Sequence, residues 1–360
     1  MSAKFIPLEQ ACDFLSGYAW SAANFQSDPV GLPIIRIQNV DAVRESDFVY
    51  WDGPFDERFV VRNGDLLLTL SGSFRVVVWD GPEALLNQRI VKLMPKDGYT
   101  RDWLLYVLRN ALNAISGMGR HALVSNVALA DLRALKIPRQ TIEEQRRIAA
   151  ILDQAETLRT QRRTALALLD SLTQSLFLDM FGDAETNKMG FQIATLGNAI
   201  KLKSGNFLPA SQMAEKGQFP VYGGNGINGK HDEFMFEEPK IVIGRVGAYC
   251  GCVHVTEPRS WVTDNALYIE AFDSALHPEY LAFALSEAKL NQYASQSGQP
   301  LISGARIAAV KLLVPPLPLQ QTFATRIASI EALKATHRRA LAALDALFAS
   351  LQQRAFAGQL

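Results

Sequence analysis

The chain has 360 residues, with 36 basic and 36 acidic side chains, and 48% of its residues are apolar. At roughly 100–200 residues per domain, this length predicts two or three domains, and the apolar fraction excludes a disordered chain. Three cysteines cannot form a disulfide framework. No apolar run is long enough for a membrane span, and the N-terminus lacks the layout of a signal peptide. We expect a soluble, cytoplasmic protein whose zero net charge gives no general attraction to nucleic acid.

Residues 1–140 carry short runs of Val, Ile, Thr and aromatic residues separated by Gly and Asn. Such runs are typical of short strands joined by turns. The run Leu66-Leu67-Leu68-Thr69-Leu70, which precedes Ser71-Gly72-Ser73, is an example. We therefore predict a first globular domain over residues 1–140 with a mixed, mostly β core.

Residues 141–182 are predicted to form one long helix, because Arg139 to Phe181 contains neither Gly nor Pro. Thr141 and Glu144 have the spacing of a capping box at its start. Residues in steps of four and three predict a coiled-coil seam, with one charged member. That predicted seam consists of Ile151, Ala155, Leu158, Arg162, Ala165, Leu169, Leu172 and Leu176.

The remainder of the chain repeats this plan. A polar linker at 183–190 leads to a second strand-rich domain at 191–316 and a second long helix at 317–360. A shift of 175 positions lays the first helix on the second and matches Arg163 with Arg338 and Phe181 with Phe356. The second seam then consists of Arg326, Ile330, Leu333, His337, Ala340, Leu344, Leu347 and Leu351. A polar residue in an apolar seam disfavours shifted pairings, so we expect Arg162 and His337 to fix the register.

Catalytic motifs are weak. Residues 224–230 fit the start of a phosphate loop, but His231 stands where the magnesium-binding hydroxyl belongs. Asp232, Glu238 and Lys240 have a loose nuclease spacing that is common by accident. The cysteines and histidines show no metal-ligand spacing, and no fingerprint for S-adenosylmethionine is present. We predict no catalytic residue, no cofactor and no metal in this chain.

Polar side chains that suit base and phosphate recognition recur on the loops of both copies. Amides bind adenine, guanidinium groups bind guanine, and Lys and Ser bind phosphates. In the first domain the candidate DNA-binding residues are Arg36, Gln38, Asn39, Ser71, Ser73, Arg75, Asn87, Gln88 and Arg120. In the second they are Tyr222, Asn225, Asn228, Lys230, Arg245, Tyr249, Thr263, Asn265 and Gln299. Their recurrence at matching places favours DNA recognition over ordinary turns.

The chain resembles the specificity (S) subunit of type I restriction–modification systems along essentially its whole length. The resemblance is carried by residues 137–152, 315–321 and 350–360 around the helices, and by the second-domain stretches 222–229 and 261–266. The first domain is a looser match, because Ile137-Pro138-Arg139-Gln140 replaces the usual proline-rich helix entry. In that domain Arg36-Ile37-Gln38-Asn39 also stands in place of the Tyr-Gly-x-Asn-Gly turn.

The resemblance implies an α+β fold in which two target-recognition domains are joined by two long antiparallel coiled-coil helices, with an internal pseudo-twofold repeat. It implies that each domain reads one half of a bipartite target in double-stranded DNA and that the helices dock two methylation (M) subunits. Those subunits would carry S-adenosylmethionine and methylate adenine N6, while restriction (R) subunits would use ATP and magnesium. This chain would be the non-catalytic subunit of such a complex.

Two other functions remain open on the sequence. One is a coiled-coil adaptor that binds only protein, with its globular domains as peptide readers. The other is a lone nuclease that uses Asp232 and Glu238. Sequence-selective, salt-dependent retention of DNA separates DNA recognition from the adaptor, and metal-dependent cleavage by the chain alone would support the nuclease.

Overall fold

The computed structural model describes residues 5–41, 47–71, 74–112, 127–213, 217–295, 298–357 and 359–360. It divides into two compact units, one of Met1–Arg163 with Arg339–Leu360 and the other of Thr164–Arg338. Each unit therefore holds one globular domain and a part of both long helices. None of the helices in the described ranges has the length and hydropathy of a membrane span.

The first copy begins with short strands and ends with the first long helix. Its strands are β1 Phe5–Pro7, β2 Cys12–Ser16, β3 Leu32–Ile35, β4 Val49–Trp51, β5 Val60–Val61, β6 Leu66–Thr69, β7 Val76–Val78, β8 Ala84–Leu86, β9 Ile90–Pro95 and β10 Lys136–Pro138. Its helices are α1 Ile37–Asp41, α2 Arg101–Asn110, α3 Leu129–Ala134 and α4 Ile142–Phe181.

The second copy repeats this order. Its strands are β11 Gln192–Thr195, β12 Ile200–Ser204, β13 Phe219–Gly223, β14 Gly226–His231, β15 Ile241–Gly244, β16 Val253–Val255, β17 Trp261–Val262, β18 Ala266–Phe272 and β19 Lys311–Val314. Its helices are α5 Leu196–Ala199, α6 Pro278–Glu287, α7 Gly304–Ile307 and α8 Leu317–Phe356.

The sheets of the two copies correspond, except that β5 of the first copy has no counterpart in the second. One sheet has the order β2-β9-β6-β7 in the first copy and β12-β18-β15-β16 in the second. The other has the order β4-β3-β8-β5 in the first copy and β14-β13-β17 in the second. The pairs β3–β8 and β13–β17 are parallel, and the other pairs within these sheets are antiparallel. The prediction of an α+β fold with an internal repeat is confirmed.

The two long helices run antiparallel within each unit. In the first unit, Leu152 near the start of α4 shares a core with Phe348 near the end of α8. In the second, Phe177 near the end of α4 lies 5.6 Å from the ring of Phe323 near the start of α8. Thr141 and Glu144 cap the first helix as expected: the Glu144 carboxylate accepts from the Thr141 N–H at 3.0 Å, and the Thr141 hydroxyl accepts from the Glu144 N–H at 3.3 Å.

The predicted seam is wrong at four leucines and at Arg326, which are exposed, whereas Ala165 and Ala340 of the same half of the seam are half-buried as expected. Leu158 and Leu172 are 40% and 50% exposed, and Leu333 and Leu347 are 46% and 49% exposed. The positions that are buried or half-buried at the helix interface are one residue further on. On α4 these include Leu152, Arg159, Leu166 and Thr173, and on α8 they include Ile327, Lys334, Leu341 and Phe348.

The other half of the predicted seam is buried or half-buried. This half consists of Ala155, Arg162, Leu169 and Leu176 on α4 and of Ile330, His337, Leu344 and Leu351 on α8. Ile151 is half-buried at the flank of the seam. The observed phase turns the aromatic rings of Phe177, Phe323 and Phe348 inward. A buried aromatic ring removes more apolar surface from water than a leucine does. The helix orientation that buries the phenylalanines is therefore favoured over the one that buries the leucines.

Two ion pairs join the helices at equivalent places. In the first unit Arg159 Nε donates to Asp345 at 2.6 Å, and in the second Lys334 Nζ donates to Asp170 at 2.8 Å. A shift of 175 turns Arg159 into Lys334 and Asp170 into Asp345. These pairs lie three residues before Arg162 and His337, the residues expected to fix the register. The antiparallel helices are thus joined by two equivalent ion pairs, one in each unit.

Candidate nucleic-acid interface

In each copy the polar loops gather at one end of the two sheets, which we call the loop edge. In the first copy the loop edge consists of residues 16–18, 36–39, 70–71, 74–75 and 87–89. In the second it consists of 204–207, 223–228, 245–249 and 263–265. In the first copy it lies where strands β2, β3, β6 and β8 end, and in the second where the equivalent strands β12, β13, β15 and β17 end.

The same five backbone hydrogen bonds hold the loop edge in both copies, and we call them the loop frame. In the first copy they run from the N–H of Gly17 to Ile90 O (3.0 Å), Tyr18 to Leu86 O (3.0 Å), Ile90 to Asn87 O (2.9 Å), Leu70 to Arg89 O (2.8 Å) and Val127 to Leu70 O (3.1 Å). In the second they run from Gly205 to Ala266 O (3.1 Å), Asn206 to Val262 O (2.9 Å), Ala266 to Thr263 O (3.1 Å), Arg245 to Asn265 O (2.9 Å) and Ile302 to Arg245 O (2.8 Å).

The loop frame requires a glycine at one position in each copy. A Cβ on Gly17 would lie 2.2 Å from Asn87 O, and a Cβ on Gly205 would lie 2.3 Å from Thr263 O. Such a distance is far below van der Waals contact, and the atom that would have to move is backbone. The two strands can approach so closely only because these residues lack a side chain.

We expect Gly205→Ala to push the 263–265 loop away and to lower the stability of the second unit by about 2–4 kcal/mol, as overpacking in a rigid place does. Urea unfolding of the purified chain measures this. Gly304→Ala is the control, because Gly304 does not have a positive φ and a Cβ there would lie 3.8 Å from Leu202, an ordinary van der Waals contact. Equal losses from the two substitutions would show that the close approach at Gly205 is unimportant.

In the second copy the structure brings several of the predicted residues together. Arg245 donates its backbone N–H to Asn265 and its Nη1 to the Ser204 hydroxyl at 3.0 Å. Thr263 follows β17 in the same loop as Asn265, which is exposed. Asn225 is exposed at the tip of the β13–β14 hairpin, beside this loop. Asn225, Arg245 and Asn265 form one polar surface, and Thr263 is buried beneath it.

The other predicted residues of this copy lie around that surface. Asn228 is exposed, and its amide lies against Gly223 of the hairpin. Tyr249 is 49% exposed, and the amide of the exposed Gln299 lies beside Gly247. Lys230 is exposed but pairs with Pro220, part-way down the hairpin and away from its tip.

The prediction that Tyr222 binds DNA is wrong, because its ring is buried. Its ring is only 4% exposed and packs with Val242, Val262 and Ala266. The phenol oxygen accepts the N–H of Glu257 at 3.1 Å, and burial raises the pKa of the phenol. The ring supports the sheet beneath the loop edge and has no surface to offer DNA.

The prediction that Asn39 binds DNA is also wrong, because Asn39 is fully buried. Its Oδ1 accepts the N–H of Arg36 at 2.9 Å, and its Nδ2 donates to Asp47 O at 3.2 Å. Arg36 donates Nη2 to the same carbonyl at 2.6 Å. Both side chains hold the turn after β3, which leaves the exposed Gln38 as the side chain of this loop that faces solvent.

The remaining predicted residues of the first copy divide into three groups. Arg75 and Gln88 are exposed and Asn87 is half-buried on the loop edge. Ser71 is 2% exposed, as Thr263 is 1% exposed in the second copy, and neither hydroxyl has a partner among the described residues. Ser73 and Arg120 lie outside the described residues. DNA contact by the exposed residues stays a prediction.

Sequence reasoning missed Tyr18 and Phe207, which are 51% and 72% exposed on the loop edge. It also left out Ser204, whereas Arg89 was recognised as part of the polar stretch Asn87-Gln88-Arg89 but was not among the predicted DNA-binding residues. A signal was present: Ser16-Gly17-Tyr18 and Ser204-Gly205-Asn206 place the same Ser-Gly pair at the end of the equivalent strands β2 and β12.

No grouping of three or more His, Cys, Asp or Glu side chains suited to a metal ion occurs within the described part of the chain. The loop edge instead offers amide, guanidinium, phenol and hydroxyl groups on a rigid backbone frame. Such groups bind base edges and phosphates by hydrogen bonds. The chemistry of the surface is that of recognition.

The structure thus defines a class of protein with two copies of one unit, each a mixed domain with a polar loop edge followed by a long helix. Comparison with known families identifies the class. The family model described as "Type I restriction modification DNA specificity domain" matches residues 4–167 and again 188–345. The chain belongs to this family, and the resemblance seen in its sequence is confirmed.

Relatives are similar at low identity. The type I restriction enzyme EcoprrI specificity subunit of Escherichia coli is 25% identical over 254 residues, which is 66% of this chain and 63% of that protein. The EcoBI specificity subunit of Escherichia coli is 28% identical over 172 residues, which is 48% of this chain and 35% of that protein. The matches therefore span less than two thirds of the length of these relatives.

A solved structure shares the fold. The crystal structure of the type I restriction–modification S subunit from M. genitalium aligns with a TM-score of 0.69 at 18% identity, covering 98% of this chain and 96% of that one. At such identity the likeness establishes the fold alone. It supports two repeats with long helices as the architecture of this chain.

Proposed function

We propose that this chain is the DNA sequence-specificity subunit of a type I restriction–modification complex. Each globular domain binds one half of a bipartite target in double-stranded DNA through its loop edge. The helices dock two methylation subunits, which bind S-adenosylmethionine and methylate adenine N6. Restriction subunits with ATP and magnesium complete the nuclease form. The chain itself performs no catalysis.

The observation that carries this proposal is the loop frame. Two copies of one backbone arrangement hold different side chains at equivalent positions, such as Leu70 against Arg245 and Arg89 against Asn265. A single partner bound twice would favour the same side chains in both copies. Different side chains on one frame fit two different half-sites of one DNA target.

The exposed leucines of the helices support docking of two identical partners. Leu158 and Leu333 are related by the repeat shift of 175, as are Leu172 and Leu347. All four are at least 40% exposed beside the seam. Leu158 and Leu347 belong to the first unit, and Leu172 and Leu333 to the second. Each unit therefore presents one leucine from each helix, which gives two equivalent apolar surfaces for two methylation subunits.

We expect Leu158→Glu with Leu347→Glu to remove one methylation subunit and leave the other, because a charge in an apolar interface is costly to desolvate. The mass of the purified complex, measured by light scattering, should fall from two methylation subunits per chain to one. Ala342→Glu is the control: it is exposed and lies five residues before Leu347, about 140° round the helix. A full complement of subunits in the double variant would contradict docking at these leucines.

The function is tested by sequencing methylated DNA from cells that express the methylation subunits with or without this chain. The proposal expects a bipartite motif that appears only with the chain. A protein-binding adaptor is the alternative, and it predicts no motif and no sequence-selective, salt-dependent DNA retention by the assembled complex. If neither a methylated motif nor sequence-selective DNA retention is found, the proposed function is overturned in favour of the adaptor.

We expect Asn225→Ala and Arg245→Ala to relax the second half-site by about 1–3 kcal/mol for each bidentate hydrogen-bonded pair that the substitution removes, and to leave the first half-site unchanged. The methylated motif and competition between duplexes measure this. Arg259→Ala is the matched control, since Arg259 is exposed, pairs with Glu237 and lies before β17, whereas the loop edge follows that strand. Uniformly weaker binding with the motif intact would assign both residues to phosphate or to the turn.

A further inference from the structure

The loop frame places two side chains at the same position in the two copies. Arg89 O accepts the N–H of Leu70 at 2.8 Å, and Asn265 O accepts the N–H of Arg245 at 2.9 Å. Each is the last of three residues between strands β8 and β9, or between β17 and β18. The first of the three is tied back in both copies, because the N–H of Ile90 and of Ala266 bonds to its carbonyl. The backbone therefore places Arg89 and Asn265 at equivalent positions, and the two copies differ there only in the side chain.

Both side chains are available for a ligand. Arg89 and Asn265 are exposed. Neither side chain forms a hydrogen bond or ion pair with the described residues, whereas Arg36, Asn39 and Arg245 of the loop edge are bonded within the chain. Asn87 likewise accepts the Arg89 N–H at 3.4 Å through its own amide oxygen. The first residue of each loop is turned inward and the last is turned outward.

The two side chains differ in the base that they suit. A guanidinium donates two parallel hydrogen bonds to N7 and O6 of guanine, and a carboxamide bonds to N7 and N6 of adenine, both in the major groove. Both contacts use N7 of a purine as acceptor. One backbone frame can therefore present the same geometry to different purines when only the side chain is exchanged.

We propose that Arg89 and Asn265 are equivalent base-reading residues, Arg89 for a guanine in the half-site of the first domain and Asn265 for an adenine in the other half-site. This rests on the proposed DNA recognition and adds the position and the base. The adenine read by Asn265 is distinct from one that is methylated, since a methylated base is extruded from the stack and its edge is not read in the groove.

The test uses the chain assembled with its methylation subunits and duplexes that carry 7-deazaguanine at each guanine of the first half-site in turn. This base replaces N7 by C–H and so removes one acceptor. At one position the affinity of the wild-type complex should fall roughly 5-fold or more, the lower end of the range for a whole bidentate contact, because one of its two hydrogen bonds is lost. The Arg89→Ala complex, whose side chain cannot donate to N7, should bind normal and modified duplexes equally at that position. Scanning with 7-deazaadenine in the second half-site should give the same pattern for Asn265→Ala.

Arg89→Lys and Arg62→Ala are the companion variants. Lysine also donates to guanine, so Arg89→Lys should keep part of the sensitivity to 7-deazaguanine, whereas a merely structural role would not distinguish lysine from alanine in this way. Arg62 is an exposed arginine that follows β5 and is paired with Glu57 and Glu83. Its replacement should leave the sensitivity unchanged.

The outcomes separate the two proposals. A wild-type complex that methylates no bipartite motif defeats the proposed function. A wild-type complex that reads a motif, together with an Arg89→Ala complex that remains equally sensitive to 7-deazaguanine, defeats only the assignment of Arg89. A first half-site without guanine does the same. If a variant complex no longer methylates DNA, its affinities for the normal and the modified duplexes still test the assignment.

Discussion

Replacing Gln145 or Gln320 by alanine should lower the free energy of unfolding of its own unit by about 3–5 kcal/mol, because each side chain is buried and forms hydrogen bonds with three backbone groups. Both residues are fully buried, and they are equivalent under the shift of 175. Gln145 Oε1 accepts the N–H of Thr100 at 2.9 Å, and its Nε2 donates to Gly98 O at 2.9 Å and Gln140 O at 3.1 Å.

Gln320 repeats these contacts in the second unit. Its Oε1 accepts the N–H of His277 at 2.8 Å, and its Nε2 donates to Ala275 O at 2.8 Å and Pro315 O at 2.7 Å. Thr100 and His277 are the N-cap residues of α2 and α6. Each glutamine therefore ties the first turn of a long helix to the start of the domain's own helix. Its removal leaves a donor and two acceptors without partners.

Urea unfolding of single variants measures the effect, with Gln321→Ala as control because Gln321 is the exposed neighbour of Gln320. Gln145→Glu is the sharper variant: it keeps an acceptor for Thr100 but removes the amide donor, so it should also destabilise. A decrease under about 1 kcal/mol from Gln145→Ala would show that water replaces the amide and that the side chain does not hold the domain to the helix.

The long helices and the repeat were predictable because their signals are local. An uninterrupted run without Gly or Pro predicts a helix from sequence alone, and α4 and α8 lie within the predicted 141–182 and 317–360. The loop frame was not predictable, because its bonds join residues far apart in sequence, such as Gly17 and Ile90. A sequence shows the Ser-Gly pair at Gly17 and Gly205 but not which strand approaches it.

The heptad phase was ambiguous for a physical reason. Leucine and alanine occupy both flanks of each seam, so the spacing of four and three fits two frames one residue apart. The choice depends on Phe348 and Lys334, which are buried by contacts with the partner helix. Hydrophobic periodicity ranks a lysine as exposed, whereas tertiary contacts bury Lys334 at 4% exposure.

The loop edge was predicted in location but not in the role of each side chain. Tyr222 and Asn39 have the chemistry of base-reading groups, yet their polar atoms are used by Glu257 and Asp47. Sequence shows which groups can form hydrogen bonds, and only packing shows which of them are already satisfied. Arg89 and Tyr18 remain exposed in the structure, but their residue types gave no stronger signal than those of their neighbours.

Replacing Asp170 by Asn together with Glu331 by Gln should destabilise the second unit by about 2–3 kcal/mol. Lys334 donates to both carboxylates at 2.8 Å, and its side chain is 6% exposed. The value is below the roughly 3–5 kcal/mol typical of breaking a fully buried pair, because Asp170 and Glu331 are 67% and 48% exposed. Lys334→Met, which removes the buried charge itself, should be close to neutral and should suppress the destabilisation.

The destabilisation should also become smaller as the pH rises, because it is caused by the positive charge of Lys334. In the wild type, burial would lower the pKa of Lys334, but the hydrogen bonds to Asp170 and Glu331 outweigh burial and raise it. The lysine therefore contributes stability that is fully present below its unfolded pKa, about 10.4, and is lost as pH rises through the folded pKa. Without the carboxylates burial dominates, the folded pKa falls, and the variant gains stability as pH rises. The two stability curves should converge towards about pH 10.

The first unit provides the control for this argument. There Arg159 replaces Lys334, pairs with Asp345 at 2.6 Å and lies over the ring of Phe348 at 4.4 Å. Arginine does not lose its proton in this pH range. Asp345→Asn should therefore lower stability by an amount that stays constant up to about pH 10, measured by urea unfolding at several pH values. A destabilisation in the second unit that is equally constant would show that Lys334 stays charged without its partners and that packing, rather than charge, holds the helices there.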